Sequence, residues 1–348
     1  RSERPSAERR SAARLFCARA RVPHTLRRAR SGTPARRALH ATTLVGMTST
    51  KTTSYALLIE PLAAEASIDE QAIDGTFTEV AFDAPALRVG ELSTQRGDGI
   101  FESIGVVDGH AQEVGPHLAR LANSARICEL PAPNPAQWRA AIARAVGQLP
   151  AIGEFVLRIV LSRGVEQGPA PTAWLLASAA PASNSALREQ GMSVVTLDRG
   201  IDSGAASRAP WLLLGAKTLS YAVNMAAIRE AHRRGAGDAL FVTSDGIVME
   251  GPTSSVILRI GDEFVTPAPS GAILHGTTQL SMFEHLERTG RTVAYRDIPA
   301  SELETVDAAW LVSSVRLAVP ITAIDGRPVS VDTALTCELN EYLLSPRD

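Results

Sequence analysis

The fold is decided by residues 245–278, DGIVMEGPTSSVILRIGDEFVTPAPSGAILHGTT. The pairs DG at 245–246 and GD at 261–262 are two-residue turn signals, and the runs around them contain the branched residues that favour strands. At the string GTT, residues 276–278, the pattern changes from loop to helix. The stretch therefore predicts two tight hairpins followed by the N-terminus of a helix.

Strand and helix patterns continue on both sides of this stretch. Asn134 caps a helical pattern whose first residue is Pro135. Helices are predicted over 117–130, 135–149, 219–234, 277–290 and 332–344, and strands over 155–164, 172–180, 192–199, 238–251, 255–269 and 307–314. The small, polar segment 181–191, PASNSALREQG, is predicted to be a linker. We therefore expect an α/β (α+β) protein with a smaller amino-terminal α+β domain, residues 54–180, and a larger β-rich carboxy-terminal domain, residues 192–348.

The overall composition excludes two classes of protein. Of 348 residues, 45% are hydrophobic, which excludes disorder as the main state. No apolar run approaches the roughly 18 residues that a membrane-spanning helix needs, so no membrane partner is expected. Cys17, Cys128 and Cys337 share no close spacing, so neither a disulfide framework nor a metal site is predicted. A reducing compartment, the cytoplasm, is the expected location.

Positive charge is concentrated at the amino-terminal end of the chain. Residues 1–46 contain 12 Arg and only two acidic residues, whereas residues 47–348 carry 23 basic and 35 acidic residues, a formal −12. This acidic body disfavours nucleic acid as the main partner. Residues 1–53 lack hydrophobic periodicity and are expected to be disordered. We interpret residues 1–46 as translated sequence upstream of a start at Met47; a transit peptide, which would imply an organelle, and a nucleic-acid-binding arm are the alternatives.

Lysine usage points to one residue. Among 35 basic residues only Lys51 and Lys217 are lysines. A chain that uses Arg wherever a positive charge suffices retains Lys217 for chemistry that a guanidinium cannot do, such as attack by a free amine on an aldehyde. Its context, LLLGAKTLSYAVNMAA, is apolar, and buried lysine is uncommon and usually functional. Chance retention at a surface position is the alternative.

Two further features lie in the opening stretch. Glu250 follows the run IVM and precedes Gly251 and Pro252, so its carboxylate can project from a strand end into a cleft; a solvated turn acid is the alternative. Backbone N–H groups at residues 276–278 can bind an anion where the helix begins. Simple helix capping by a threonine is the alternative there.

Five strings in order resemble the class IV, fold-type IV pyridoxal-phosphate enzymes, the group of branched-chain aminotransferases and aminodeoxychorismate lyases. They are RGDGIFES at 96–103, PHLARL at 116–121, GAKTLSY at 215–221, DGIVMEGPTSSV at 245–256 and TPAPSGAILHGTT at 266–278. The resemblance covers about residues 54–345. It implies a two-domain fold with pyridoxal 5'-phosphate (PLP) in the cleft between the domains, a small-molecule amino substrate and a homodimer.

The resemblance also implies roles for individual residues. Lys217 forms the Schiff base with PLP and later moves the substrate α-proton, and Glu250 hydrogen-bonds the pyridine nitrogen. Arg120 binds the phosphate through its guanidinium, and Tyr221, four residues after the lysine on the predicted helix, contacts the phenolic oxygen or the ring edge. A core aromatic is the alternative for Tyr221. The opposite side of the phosphate is bound by Gly276, Thr277 and Thr278.

The resemblance leaves the reaction open. The strings at 96–103 and 156–164 are more similar to aminodeoxychorismate lyases, which convert 4-amino-4-deoxychorismate to 4-aminobenzoate and pyruvate for folate synthesis. A class IV aminotransferase acting on branched-chain or D-amino acids, and a non-catalytic PLP-binding homologue, are the alternatives. Ser255 and Gln279 stand where many members have Asn and Arg, so branched-chain specificity does not transfer directly. The candidates for binding substrate carboxylates are Arg96, Arg158 and Arg163.

Overall fold

The computed structural model describes residues 51–67, 69–269 and 272–348. The first of its two sheets is antiparallel throughout, with strand order β2-β1-β6-β5-β3-β4. Its elements are β1 Ser54–Ile59, α1 Glu70–Asp74, β2 Phe77–Val80, α2 Leu92–Gln95, β3 Gly99–Val107, β4 His110–Ala111, α3 Val114–Ile127, α4 Pro135–Gln148, β5 Glu154–Ser162 and β6 Thr172–Ala179. Helices α3 and α4 pack on this sheet through a core that includes Leu121 and Trp138.

The second sheet is mixed, with strand order β11-β10-β9-β12-β13-β7-β8 and β14 paired with β13. Its parallel pairs are β10–β11, β7–β13 and β7–β8. The elements are α5 Ser183–Gln190, β7 Met192–Asp198, α6 Ala205–Arg208, α7 Ala222–Arg233, β8 Asp238–Val242, β9 Ser255–Ile260, β10 Glu263–Pro267, α8 Thr277–Arg288, β11 Thr292–Arg296, β12 Ala308–Ser313, β13 Leu317–Ile324, β14 Arg327–Pro328 and α9 Thr333–Leu344. Two 3₁₀ turns lie at Pro210–Leu212 and Ala300–Glu304.

Local chemistry explains where several elements begin and end. The Asn134 side chain accepts a hydrogen bond of 3.0 Å from the Gln137 N–H, which satisfies a free donor at the start of α4. Gly290 has φ +82° two residues after α8, a conformation that other residues adopt only with strain. The turns at 245–246 and 261–262 are also confirmed, since Gly246 and Gly261 have positive φ.

The structure differs from the sequence predictions at several elements. The helix expected from Leu219 begins only at Ala222, because the preceding residues make backbone contacts with β3 instead. The predicted linker 181–191 contains helix α5, which packs on β13 and α9. Strands β1, β3 and β13 were among those not predicted, although each lies inside its sheet. The mixed α/β class is confirmed, while the domain boundaries stay predictions.

Predictions on residues 1–50 lie outside the described part of the chain. Within the described ranges, none of the helices has the length and apolar character needed to cross a bilayer.

Candidate active site

A cavity of about 990 Å³ lies between the two sheets. The first sheet and its helices contribute Phe101, Arg120 and Arg158 to its wall. The second contributes Glu250 and the start of α8, and residues 211–221, which precede α7, complete the lining. The cavity therefore collects side chains that are far apart in the sequence.

Lys217 is fixed in this cavity by its own backbone. The Phe101 N–H donates to the Lys217 carbonyl at 3.0 Å, and the Lys217 N–H donates to Ser124 Oγ at 3.1 Å, which ties the lysine to β3 and α3. The amine Nζ lies 4.6 Å from the centroid of the Phe101 ring and 5.8 Å from that of Tyr221. Burial, with a smaller contribution from the positive charge of Arg120, lowers the pKa of Lys217 to about 8. The amine is therefore neutral far more often near pH 7 than that of an exposed lysine.

Glu250 lies at the same cavity, beside strand β8. Its backbone carbonyl accepts the Phe241 N–H at 2.9 Å, and its Oε2 accepts the Leu274 N–H at 3.2 Å. Burial raises the pKa of Glu250 to about 7, although the Leu274 N–H and then the charges of Lys217 and Arg120 act in the opposite direction. This carboxyl can consequently hold or release a proton near neutral pH.

Arg120 is held in place by a buried acid. Glu102, on β3, is fully buried, and both of its oxygens accept hydrogen bonds of 2.7 Å from Arg120 Nε and Nη2. Arg120 Nη1 donates to the His275 carbonyl at 3.0 Å. Burial alone would raise the pKa of Glu102, but the Arg120 charge and the hydrogen bonds from Arg120 and His117 hold it well below its ordinary value. Glu102 is therefore ionised, and it orients the guanidinium.

A chain of hydrogen bonds leads from this acid to the start of α8. His117 Nδ1 lies 2.8 Å from Glu102 Oε2, and His117 Nε2 lies 3.3 Å from both Thr277 Oγ1 and Ser314 Oγ. Thr278 Oγ1 and Ser314 Oγ are 3.1 Å apart. We call Arg120, Thr277, Thr278, Ser314 and the free N–H groups at the start of α8 the anion cup. It combines a cation, three hydroxyls and a helix N-terminus, which suits a phosphate.

Gly276 allows the start of α8, which forms part of the anion cup, to lie close to Ser255. Its φ of −73° is open to any residue, so space alone requires glycine here. A Cβ at this position would overlap Ser255 Oγ. The Ser255 side chain therefore lies against the residue that precedes α8.

Gly276→Ala is expected to force the Ser255 hydroxyl out of its present position and to lower the free energy of unfolding by about 0.5–1.5 kcal/mol, because the overlap is with that side-chain oxygen while the next nearest atoms lie at 3.5 Å. The double variant Gly276→Ala, Ser255→Ala removes the overlapping oxygen, and we expect it to recover most of the loss. Urea unfolding of both variants measures the effect. Equal destabilisation of the single and double variants would show that this contact does not restrict residue 276.

The other predicted residues divide into two groups. Arg158 and Tyr221 line the cavity, and the Tyr221 ring packs edge-on against Phe101 at 5.3 Å. Tyr221 precedes α7, so its proximity to Lys217 does not come from a shared helix face as the sequence suggested. Arg96 and Arg163 do not line the cavity; Arg96 pairs with Glu166 at 3.3 Å, and Arg163 pairs with Asp98 at 2.8 Å.

Sequence reasoning missed several residues of the site. Glu102 and His117 lie inside strings that were recognised, yet no role was predicted for them. Ser314 follows β12, and the pair of serines at that strand end was the available signal. Two further cavity arginines were missed, Arg199 and Arg316, the second of which pairs with the buried Asp238 at 2.8 Å.

The fold and the site agree with one protein family, the class IV aminotransferases. The family model for class IV aminotransferases matches residues 99–324, and the chain belongs to this family. Among its relatives is a bifunctional aminodeoxychorismate lyase / D-amino acid transaminase of Mycobacterium tuberculosis, 44% identical over 252 residues, which are 70% of this chain and 87% of the relative.

Solved structures agree with this assignment. A fold IV-transaminase of Curtobacterium pusillum is similar with a TM-score of 0.79 and 44% identity, over 84% of this chain and 99% of that one. The PLP-bound form of a hypothetical aminotransferase from Mycobacterium tuberculosis has a TM-score of 0.75 and 37% identity, over 84% of this chain and 98% of that one. The protein is therefore a PLP-dependent enzyme, a lyase or an aminotransferase.

The residues present fit PLP. An amine with a lowered pKa, a carboxyl with a raised pKa and an anion cup face one cavity. These three groups match the aldehyde, the pyridine nitrogen and the phosphate of the cofactor.

Proposed function

We propose that the protein is an aminodeoxychorismate lyase, which converts 4-amino-4-deoxychorismate to 4-aminobenzoate and pyruvate for folate synthesis. The observation that carries PLP-dependent chemistry is the Lys217 amine, whose pKa is lowered to about 8, in one cavity with Glu250 and the anion cup. The Mycobacterium tuberculosis relative, which has lyase activity in its name, supports this choice of substrate.

Transamination is the second candidate. The same relative also carries D-amino acid transaminase in its name, which favours D-amino acids over branched-chain ones. Both reactions begin with removal of a proton from the carbon that bears the substrate amine. They differ afterwards, because the lyase releases pyruvate without a second substrate, whereas a transaminase needs a keto-acid acceptor.

The proposed residue roles follow from the positions in the cavity. PLP, when bound, supplies an electron sink for the negative charge that develops at the substrate carbon. Arg120 binds the phosphate, together with the helix start and hydroxyls formed by Gly276, Thr277, Thr278 and Ser314. Glu250 keeps the pyridine nitrogen protonated, and Tyr221 contacts the phenolic oxygen or ring edge.

Lys217 is the proposed catalytic residue. A neutral amine can accept the substrate proton, and the lowered pKa of Lys217 raises the neutral fraction at working pH. Phe101 lies under Nζ and excludes water from one side of the amine.

Arg158 is the proposed binding residue for a substrate carboxylate. It lines the cavity, and its guanidinium carbon lies 5.8 Å from the Phe101 ring centroid, on the ring that also contacts Lys217. Arg96 and Arg163 are not retained in this role, since both form ion pairs away from the cavity lining.

The function is tested by supplying 4-amino-4-deoxychorismate without any keto acid and measuring pyruvate. The lyase is expected to release pyruvate and 4-aminobenzoate in equal amounts. Absence of pyruvate in that assay, together with D-glutamate and pyruvate formed from D-alanine and 2-oxoglutarate in a separate assay, would instead support the transaminase. Catalysis of both reactions would assign the chain a bifunctional activity.

The rate at which the cofactor-free protein binds PLP covalently is expected to rise with pH and to reach half of its maximum at about pH 8. The reason is that only the neutral amine attacks an aldehyde, and the pKa of Lys217 is lowered from 10.5 to about 8. Stopped-flow absorbance between pH 6 and pH 10 measures the rate. The control is free lysine whose α-amino group is blocked, so that only its side-chain amine reacts. A half-maximum near pH 10.5 for the protein would contradict a lowered pKa.

A homodimer and a cytoplasmic location complete the proposal. The resemblance to fold-type IV enzymes supports the dimer, and light scattering coupled to gel filtration tests it. The unpaired Cys128 and Cys337 support a reducing compartment.

A further inference from the structure

Glu113 forms a junction next to the anion cup. It is the residue before α3, it has a left-handed backbone with φ +53°, and its side chain is only 4% exposed. Arg347 Nη1 donates to Glu113 Oε1 at 2.6 Å, and Ser281 Oγ on α8 donates to the same oxygen. The Glu113 N–H also donates to the Arg347 carbonyl at 2.8 Å. The acid therefore joins α3, α8 and residue 347.

The spacing of these contacts relates the junction to the cup. His117 and Arg120 are three residues apart on α3 and share one of its faces, and Glu113 immediately precedes the helix, where its carbonyl accepts the His117 N–H at 3.0 Å. Thr277 and Ser281 are four residues apart on α8. The contact between His117 and Thr277 lies at the cup, and the contact between Glu113 and Ser281 lies four residues away from it in both chain segments. The two pairs together fix how far apart α3 and α8 lie.

We propose that Glu113, neutralised by Arg347 and hydrogen-bonded to Ser281, is a positioning residue that holds α3 and α8 at the separation required for phosphate binding. The inference rests on the proposed role of the cup. The side chains of Glu113 and Arg347 are 4% and 8% exposed, so each depends on the other for charge compensation. Without Arg347, the buried carboxylate attracts Arg120, seven residues further along α3, and repels a bound phosphate.

The electrostatics of Arg120 agree with this arrangement. Burial would lower the pKa of Arg120, but Glu102 first, and then Glu113 and Glu250, raise it. Glu113 therefore lies close enough to act on the guanidinium of the cup, and its charge has to be balanced from the other side.

The test compares the affinity of the cofactor-free protein for PLP and for pyridoxal, which lacks the phosphate. Arg347→Met is expected to weaken PLP binding about tenfold or more and to leave pyridoxal binding within about twofold, because an unpaired buried charge acts on the phosphate alone. The double variant Arg347→Met, Glu113→Gln removes that charge and keeps an acceptor for Ser281. We expect it to recover most of the PLP affinity.

Arg188→Met is the control for the loss of a buried arginine, although its partner Glu154 is 33% exposed whereas Glu113 is 4% exposed. Arg188 is as buried as Arg347, at 8%, and it pairs with Glu154 through two hydrogen bonds, yet neither residue lines the cavity. Loss of Arg188 is expected to lower the free energy of unfolding and to leave the ratio of the PLP affinity to the pyridoxal affinity unchanged.

Three results would overturn the inference. They are equal losses of PLP and pyridoxal affinity in Arg347→Met, the absence of recovery in the double variant, and the same change of ratio in Arg188→Met. If Arg347→Met does not fold, Ser281→Ala replaces it, since it removes one hydroxyl and keeps the ion pair; a selective loss for PLP supports the inference and an equal loss overturns it. Wild-type protein that does not prefer PLP over pyridoxal would instead contradict the proposed cup.

Discussion

Lys217→Ala is expected to abolish turnover, with kcat lower by at least about 10⁴-fold, because it removes both the covalent attachment of PLP and the base that takes the substrate proton. The variant should still bind PLP weakly through the anion cup, whose residues it leaves intact. Pyruvate release measures the activity. An absorption spectrum of the purified protein measures the cofactor, and the long-wavelength band that borohydride removes from the wild type should be absent.

The chain contains only two lysines, which gives this experiment a simple control. Lys51 and Lys217 are the only lysines, so reduction of the wild type with borohydride should add the cofactor mass to one of two possible peptides. Lys51→Ala should retain full activity and labelling, because Lys51 lies outside the cavity lining. Label on Lys51, or activity above about 1% in Lys217→Ala, would remove Lys217 from its proposed role.

Features were predictable from the sequence where the signal came from the residue itself or from its near neighbours in the chain. Lys217 stood out because the chain otherwise uses arginine, and Glu250 because it follows a strand run and precedes a Gly-Pro break. The structure brings both to one cavity and gives both a shifted pKa. The hairpin turns and the helix after Asn134 were likewise set by local signals, since a two-residue turn and a cap involve only near neighbours.

Residues whose chemistry depends on distant partners were not predictable. His117 meets Ser314, which is 197 positions away, and no local pattern identifies such a pair. The buried strand β3 has no clean alternation, so nothing singled out Glu102 as an ionised residue in a core. Which arginine lines the cavity depends on how the strands pair, and the sequence alone does not show this. Arg158 on β5 lies opposite Ser103 on β3 in the sheet, and both residues line the cavity.

Glu102→Gln is expected to lower the free energy of unfolding by about 3–5 kcal/mol at pH 7, because it leaves Arg120 buried without its counter-charge. Cofactor affinity should fall with it, since the same acid orients both Arg120 and His117. Urea unfolding of the cofactor-free protein measures the stability difference. Glu302→Gln is the matched control: Glu302 also binds an arginine, Arg296, through two hydrogen bonds, but both side chains are about one-third exposed. Its loss should cost less than about 1 kcal/mol.

The pH dependence of Glu102→Gln separates charge from packing. The pKa of Glu102 in the folded protein lies below its ordinary value of 4.5, so its stabilising contribution is complete above pH 4.5 and is lost progressively as the pH falls below it. The difference in unfolding free energy between wild type and Glu102→Gln should therefore shrink by about 2 kcal/mol between pH 5 and pH 3. A difference that stays constant over this range would mean that Glu102 stabilises the protein by shape and not by its charge. In that case the orientation of Arg120 would have to come from the His275 carbonyl alone.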